Sequence, residues 1–128
     1  MPEYLMLIYM PAENPLGPEE MAEMFPKWDA YTESLRDAGL FLGGNALQGV
    51  ELATTVRERG GETQITDGPF AETKEVLGGY YLVEAPDLDT VLEHAARIPT
   101  IAYGSLEVRP ILDTGAREAR AAEAQAQA

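Results

Sequence analysis

The chain has 128 residues, the length of one ordinary domain, and 45% of them are apolar, so it can bury a core and is not expected to be disordered. It contains no cysteine, which excludes disulfides, thiolate nucleophiles and zinc sites built on sulfur. Nine basic residues face 22 acidic ones, giving a net charge of −13. That balance disfavours nucleic acids and anionic membranes, because both attract clustered Lys and Arg.

The first predicted element is a strand over residues 3–10. An acid precedes its apolar run, and the run is far shorter than the ~20 residues that span a bilayer, so we expect a cytoplasmic protein. Both faces of this strand are apolar, which requires a layer on each side. Helices can cover only one face in a domain this small. We therefore predict that two sheets meet face to face in a homodimer.

After a loop over residues 11–18, apolar residues recur at spacings of three and four from Met21 to Ala38, which predicts an amphipathic helix. Pro26 interrupts this pattern. Either a short turn precedes the main helix, or the helix is kinked at the proline. Gly39 is expected to end the helix as its C-cap.

The middle of the chain predicts short strands and turns. Residues 40–50 suggest a short strand and loop, and two β-rich runs at 54–57 and 63–66 flank Gly60-Gly61, which is a hairpin signal. Residues 67–70 predict a sharp turn. Residues 71–77 then favour a short helix, which Gly78-Gly79 would end.

The last third predicts a strand at 80–83, a second helix capped by Asp87, and a final strand at 105–109. The element order is that of an α+β, ferredoxin-like split βαβ protomer with an antiparallel sheet and additional hairpin material. We place this domain at residues 1–113. Residues 114–128 are Ala- and Glu-rich, and we expect a flexible or helical tail there.

One segment is specific enough to indicate a family. The run DGPFAETKE at residues 67–75, followed by Gly78-Gly79-Tyr80-Tyr81, resembles the signature of the YCII-related, or DGPF-domain, family. Weaker similarities extend over roughly residues 3–112. The resemblance implies a dimeric α/β barrel of ferredoxin-like protomers, in a family largely without assigned activity. Some members are encoded beside sigma factors, which suggests a regulatory context.

The resemblance also bears on catalysis. Smaller relatives carry a His on the first helix and an Asp in a cleft, proposed as an acid–base pair. When their helix-ending glycine is aligned with Gly39, Trp28 takes the position of that His. An indole cannot shuttle protons at neutral pH, so the pair is incomplete here.

Asp67 is the first candidate site residue. It is either a cleft carboxylate, acting as a base or binding a polar group, or a cap for the predicted short helix. Trp28 and Tyr31 are either an aromatic wall for a ligand or core packing. The other candidate ligand-binding residues are Phe70, Lys74, Tyr81, Glu107 and Arg109.

Glu107 and Arg109 share one face of the last strand, where they form either a polar spot for a ligand or an ion pair. His94 is the only histidine, and no acidic spacing matches a metal motif, so we predict neither a metal nor a cofactor. The sequence predicts a module that binds a small polar molecule near Asp67, at the dimer or sheet face. A small isomerase- or lyase-like enzyme using Asp67 is the alternative, and a protein-interaction module is the second.

Overall fold

The computed structural model describes residues 1–69, 71–115, 119 and 122–123. Its elements are a four-stranded antiparallel sheet, two α-helices, a separate hairpin and a single 3-10 turn at Val50–Leu52, in an α+β arrangement consistent with the predicted ferredoxin-like fold. The sheet has the order β2-β5-β1-β6 and is open, not closed into a barrel. In chain order the elements are β1 (Glu3–Pro11), α1 (Pro18–Asp37), β2 (Phe41–Ala46), β3 (Thr54–Arg59), β4 (Glu62–Asp67), β5 (Glu75–Glu84), α2 (Leu88–Ala95) and β6 (Ser105–Pro110).

The core lies between the sheet and the two helices. Side chains alternate along β1, and Met6 is fully buried together with Leu35 of α1 and Val91 of α2. The stripe predicted for the first helix is thus confirmed at Leu35. The cap of the second helix is confirmed as well, since Asp87 accepts a hydrogen bond from the Thr90 amide at 2.8 Å.

The opposite side of the sheet is covered by neither helix. The register places Leu5 beside Leu82 and Arg109, and Leu7 beside Tyr80 and Glu107. Directly opposed residues point to the same side of a sheet, so these side chains share one surface, on which the leucines and Tyr80 are half-exposed and Glu107 and Arg109 are exposed. We call it the open sheet face; its members are Leu5, Leu7, Tyr9, Tyr80, Leu82, Glu107 and Arg109.

Helix α1 runs continuously through Pro26 and does not break into a short turn and a main helix. It begins with Pro18, which suits the first position because its missing N–H needs no partner there. The C-cap is Ala38, one residue before the predicted Gly39. Gly39 follows with a positive φ of 76°, as a glycine that ends a helix does; its amide bonds to the Arg36 carbonyl and that of Leu40 to the Leu35 carbonyl.

The predicted short helix at residues 71–77 is wrong. Residues 71–74 are irregular, and residues 75–77 already belong to β5, opposite Pro11, Met10 and Tyr9 of β1. Hydrogen bonds to the neighbouring strand outweigh the local preference of this segment for a helix. The glycines after it lie inside the strand, where the register with β1 shifts between Ile8 and Tyr9. With no helix here, the interpretation of Asp67 as a helix cap is also wrong.

The predicted hairpin is confirmed as β3 and β4. Gly60 and Gly61 both have positive φ, at 60° and 80°, as a two-residue turn of this kind requires. The two strands pair with each other and form a sheet of their own.

No helix in the described part of the chain combines the length and apolar character needed to cross a bilayer. The tail expected over residues 114–128 lies mostly outside the described residues, so the boundary at residue 113 stays a prediction.

Candidate functional site

A cavity of about 580 Å³ opens between α1 and the strands β2 and β5. We call it the helix cleft. Trp28 and Thr32 line it from the helix, and Phe41, Asn45 and Tyr81 line it from the strands. Gly44 of β2 lies beside Tyr81. A Cβ at this position would come within 2.7 Å of the Tyr80 carbonyl oxygen and 2.8 Å of the Tyr81 ring, so glycine is what lets the strand and the ring approach each other this closely.

Aromatic rings form one wall of the helix cleft, with Tyr81 at their centre. Its ring centroid is 6.4 Å from that of Trp28, 5.8 Å from that of Tyr31 and 6.1 Å from that of Phe41. Trp28 and Tyr31 also meet edge to face at 6.0 Å, because residues three apart are neighbours on a helix. Trp28 and Phe41 are only partly buried, so this wall can contact a bound ring.

Tyr31 belongs to the core behind this wall. It is 7% exposed, and its hydroxyl donates a 2.6 Å hydrogen bond to the backbone carbonyl of His94 on α2. Burial raises the pKa of this phenol, so it remains protonated well above neutral pH. This hydrogen bond connects α1 to α2. The Tyr31 ring also packs against Trp28 on the core side of the wall.

A hydroxyl pair supplies the polar part of the cleft. The Thr32 hydroxyl donates to the Trp28 carbonyl at 3.0 Å and lies 2.6 Å from the Tyr81 hydroxyl. Since a threonine hydroxyl has one proton, Tyr81 must be the donor in the second bond. Burial raises the pKa of the Tyr81 phenol, so it is neutral at physiological pH. Its oxygen therefore retains lone pairs that can accept a hydrogen bond from a ligand.

The mouth of the cleft carries both signs of charge. The Arg36 guanidinium lies 4.7 Å from the centre of the Phe41 ring and 3.4 Å from the Glu33 carboxylate. Asp29, on the same helix, also lines the cleft. Asn45 donates a 2.9 Å hydrogen bond to the Tyr80 hydroxyl. Thr100 also lines the cleft, and its hydroxyl is buried and has no hydrogen-bond partner among the described residues.

A second, wider recess of about 1130 Å³ lies at the end of the open sheet face. We call it the sheet concavity. Tyr9, Leu77 and Glu107 line it from the sheet, and Leu52 and Lys74 line it from the connecting segments. The Tyr9 hydroxyl donates to Glu107 at 3.4 Å, and burial followed by the Glu107 charge raises the pKa of this phenol.

The structure separates the predicted site residues into groups. Trp28 and Tyr81 meet in the helix cleft, whereas Lys74 and Glu107 line the sheet concavity. Arg109 lies on the open sheet face opposite Leu5.

The remaining candidates lie elsewhere. Asp67 is exposed at the end of β4, opposite Thr54, and lines neither recess. Phe70 lies outside the described residues. No cluster of three or more metal-ligating side chains occurs in the part of the chain that the structure describes.

Sequence reasoning missed Thr32, Phe41, Asn45 and Arg36 as cleft residues. The sequence does contain a pattern that could have identified the two helix residues, Thr32 and Arg36. Thr32 and Arg36 follow Trp28 at successive intervals of four, which places all three on one helix face. No comparable signal marked Phe41 and Asn45, because their position depends on which strand pairs with β5.

The sequence model of the YCII-related domain family matches residues 3–114. A curated relative is an uncharacterised protein of Rhizobium meliloti (strain 1021), which is 48% identical over 61 residues. That match covers 46% of this chain and 49% of the relative, so the chain spans about half the length of the relative it matches.

Proposed function

The chain belongs to the YCII-related domain family, and within it we propose that this protein is a small-molecule binding module whose site is the helix cleft. The observation that carries the proposal is the pairing of an aromatic wall with a buried hydroxyl. Trp28 and Phe41 present ring surface, and the Tyr81 oxygen beside them has acceptor capacity left over. A few polar groups in a mostly apolar recess are the usual make-up of a ligand site.

The chemistry of the cleft specifies a class of ligand. A planar ring would lie against Trp28 and Phe41, and an N–H or O–H group on that ring would donate to the Tyr81 oxygen. An anionic or carbonyl substituent would turn towards Arg36 at the mouth. The ligand we propose is therefore a small planar molecule with a donor at one end and an acceptor at the other.

The binding role fits the cleft better than acid–base catalysis does. The resemblance to smaller relatives puts Trp28 where they carry a histidine, and burial raises the pKa of the Tyr81 phenol, which makes it a poorer proton donor. Asp67 lies outside the cleft of its own chain. The acid–base alternative can still be tested. It requires that the protein turns over a bound compound, and that Asp67→Asn abolishes this turnover while the compound still binds.

A thermal-shift screen against a metabolite library tests the proposal. Wild type is compared with Trp28→Leu and Tyr81→Phe, with Tyr9→Phe as a matched control that removes a phenol hydroxyl outside the cleft. A ligand at about 100 times its dissociation constant adds roughly 2.7 kcal/mol, a shift that is easily seen in a domain of this size. We expect hits that weaken in the two cleft variants and persist in the control. Hits that are indifferent to both cleft variants would contradict the proposal.

We also propose that two copies associate through the open sheet face. Its leucines and tyrosines are half-exposed on a side that neither helix covers, and apolar surface of this kind favours association. Leu7→Glu places a charge at its centre, next to Glu107. Light scattering should report a dimer for wild type and a monomer for the variant. A monomeric wild type at micromolar concentration would contradict the association.

A further inference from the structure

The Thr100 hydroxyl is a buried polar group that its own chain does not satisfy. Thr100 is 3% exposed, and its hydroxyl is the only buried side-chain oxygen or nitrogen without a hydrogen-bond partner among the described residues. Buried polar groups in folded proteins are nearly always paired, because an unpaired one has lost its bonds to water without replacing them. This hydroxyl therefore calls for a partner from outside the chain.

Thr100 lies between α2 and β6 and lines the helix cleft. Its backbone carbonyl already accepts hydrogen bonds from the amides of Tyr103, at 3.1 Å, and Gly104, at 2.8 Å. The carbonyl is thus satisfied within the turn, whereas the hydroxyl keeps one proton to donate and lone pairs that can accept. The hydroxyl is the group that Thr100 can offer to a molecule in the cleft.

Two methionines border this segment and also line the cleft. The Met24 sulfur lies 4.0 Å from the Tyr103 hydroxyl. Gly104 packs so closely on Met10 that an added Cβ would come within 3.3 Å of its sulfur. We call the part of the cleft that Met10, Met24 and Thr100 line the methionine end. Unbranched thioether side chains adapt their shape readily, so this end can accommodate a bound group.

The methionine end favours an uncharged group. Among the described residues that line the cleft, only Asp29 and Arg36 are charged, and both are on α1. They follow Met24 by five and twelve positions, which is about 7.5 and 18 Å along the helix axis. A charge beside Thr100 would therefore be buried without an ionic partner, which costs far more than burying a neutral group that can hydrogen-bond.

We propose that the Thr100 hydroxyl is a second polar contact for the ligand of the helix cleft. The inference rests on the binding role proposed above and narrows the ligand class. Besides the ring that lies against Trp28, the ligand carries an uncharged hydroxyl, carbonyl or amide group on a short apolar arm. Trp28 follows Met24 by about one helical turn, so the arm spans about 6 Å.

This role gives the Thr100 hydroxyl opposite effects on stability and on binding. In the free protein it has no partner, so Thr100→Val, which has nearly the same shape, should raise the thermal midpoint. In the complex it is paired, so the same variant should weaken the binding of a ligand that carries the matching group. A hydroxyl with only a structural role would change stability and leave ligand preference as it was.

Calorimetry with matched pairs of phenols tests the inference. The phenol of each probe supplies the ring and the O–H that donates to Tyr81. Its para position carries an alkyl chain that ends in a hydroxyl or, in the matched control, in a methyl group of similar size. Chains of increasing length are compared, because the arm must span about 6 Å. Dissociation constants are measured for wild type, Thr100→Val and Thr100→Ser, which keeps the hydroxyl.

In wild type and in Thr100→Ser, we expect a chain length at which the hydroxyl-ended probe binds favourably relative to its methyl-ended control. In Thr100→Val this ratio of dissociation constants should shift by about fivefold towards the methyl-ended probe, since one hydrogen bond is lost. The thermal midpoint of the free Thr100→Val protein should rise at the same time.

The Trp28→Leu variant separates the two possible failures. If it binds the probes more weakly than wild type, while Thr100→Val keeps the wild-type ratio at every chain length, the role of Thr100 is overturned and the cleft remains the site. If no probe binds, or if Trp28→Leu binds the probes as tightly as wild type does, both the role of Thr100 and the cleft are overturned.

Discussion

The hydroxyl oxygens of Thr32 on α1 and Tyr81 on β5 lie 2.6 Å apart, and this contact joins the helix to the strand that forms the far wall of the cleft. The Thr32 hydroxyl donates its proton to the Trp28 carbonyl. Tyr81 therefore donates to Thr32, and Thr32 in turn donates to the helix backbone. The position of Trp28 and the acceptor capacity of Tyr81 depend on the same short network.

Removing the hydroxyl of Thr32 or of Tyr81 should lower the free energy of unfolding. Removing both should lower it by less than the sum of the two single effects. We expect Thr32→Val and Tyr81→Phe each to reduce the free energy of unfolding by about 1 kcal/mol. The double variant should fall short of additivity by roughly 0.5–1 kcal/mol, because the two groups share one hydrogen bond. Urea denaturation of the four proteins measures this coupling. Strict additivity would show that the 2.6 Å contact contributes no energy of its own.

The protein should lose stability in alkali. Burial raises the pKa of Tyr31 and of Tyr81 in the folded state, so ionisation of either phenol is easier once the chain has unfolded. Their contribution is complete below the unfolded-state pKa of about 10 and declines as pH rises through the folded-state values. Urea midpoints between neutral pH and about pH 11 should therefore fall.

A Tyr31→Phe, Tyr81→Phe double variant is the control for this decline. It lacks both phenols, so its midpoint should fall less steeply with pH, although the variant starts from a lower stability at neutral pH. Parallel pH profiles of wild type and the double variant would show that other groups cause the alkaline loss.

Thr100→Val should stabilise the protein. The Thr100 side chain is 3% exposed, and its hydroxyl has no hydrogen-bond partner in the described part of the chain. Valine replaces the hydroxyl with a methyl group of similar shape, which removes the penalty for burying an unpaired hydroxyl. The free energy of unfolding should therefore rise by about 1 kcal/mol. Thr90→Val is the matched control; its hydroxyl donates to Asp87 at 2.7 Å, and its loss should lower stability. A loss of stability in Thr100→Val would mean that the hydroxyl is hydrogen-bonded in solution.

Pro26→Ala should also stabilise the protein. Pro26 is exposed in the interior of α1, where it cannot donate to the carbonyl one turn earlier. Alanine restores that donor, and we expect a gain of about 1–3 kcal/mol in the free energy of unfolding. Ala30→Gly on the exposed face of the same helix should move stability in the opposite direction. If Pro26→Ala lowers the thermal midpoint, the helix is adapted to the proline.

The sequence predicted the elements whose character is local. The helix around Leu35, the strand around Met6 and the turn at Gly60-Gly61 each carry their pattern within a few residues. The segment at residues 71–77 was mispredicted because its partner in β1 lies more than sixty positions earlier in the chain.

The candidate site was predictable only in part. Trp28 and Tyr81 were identified, but no pattern in the sequence indicated that they lie in one cleft, and Asp67 was expected close to the site. The cleft depends on β2 pairing with β5, which brings Phe41, Gly44 and Asn45 beside Tyr81. Such long-range pairing leaves no local signal in the sequence.

Fluorescence of Trp28 directly tests whether the helix cleft binds a small molecule. It is the only tryptophan of the chain and it lines the helix cleft, so its emission reports whether the cleft is occupied. We expect a compound found by thermal shift to change this emission saturably, with a dissociation constant that matches calorimetry and rises about tenfold in Tyr81→Phe. Calorimetric binding that leaves Trp28 emission unchanged, with equal affinity in Tyr81→Phe, would contradict it.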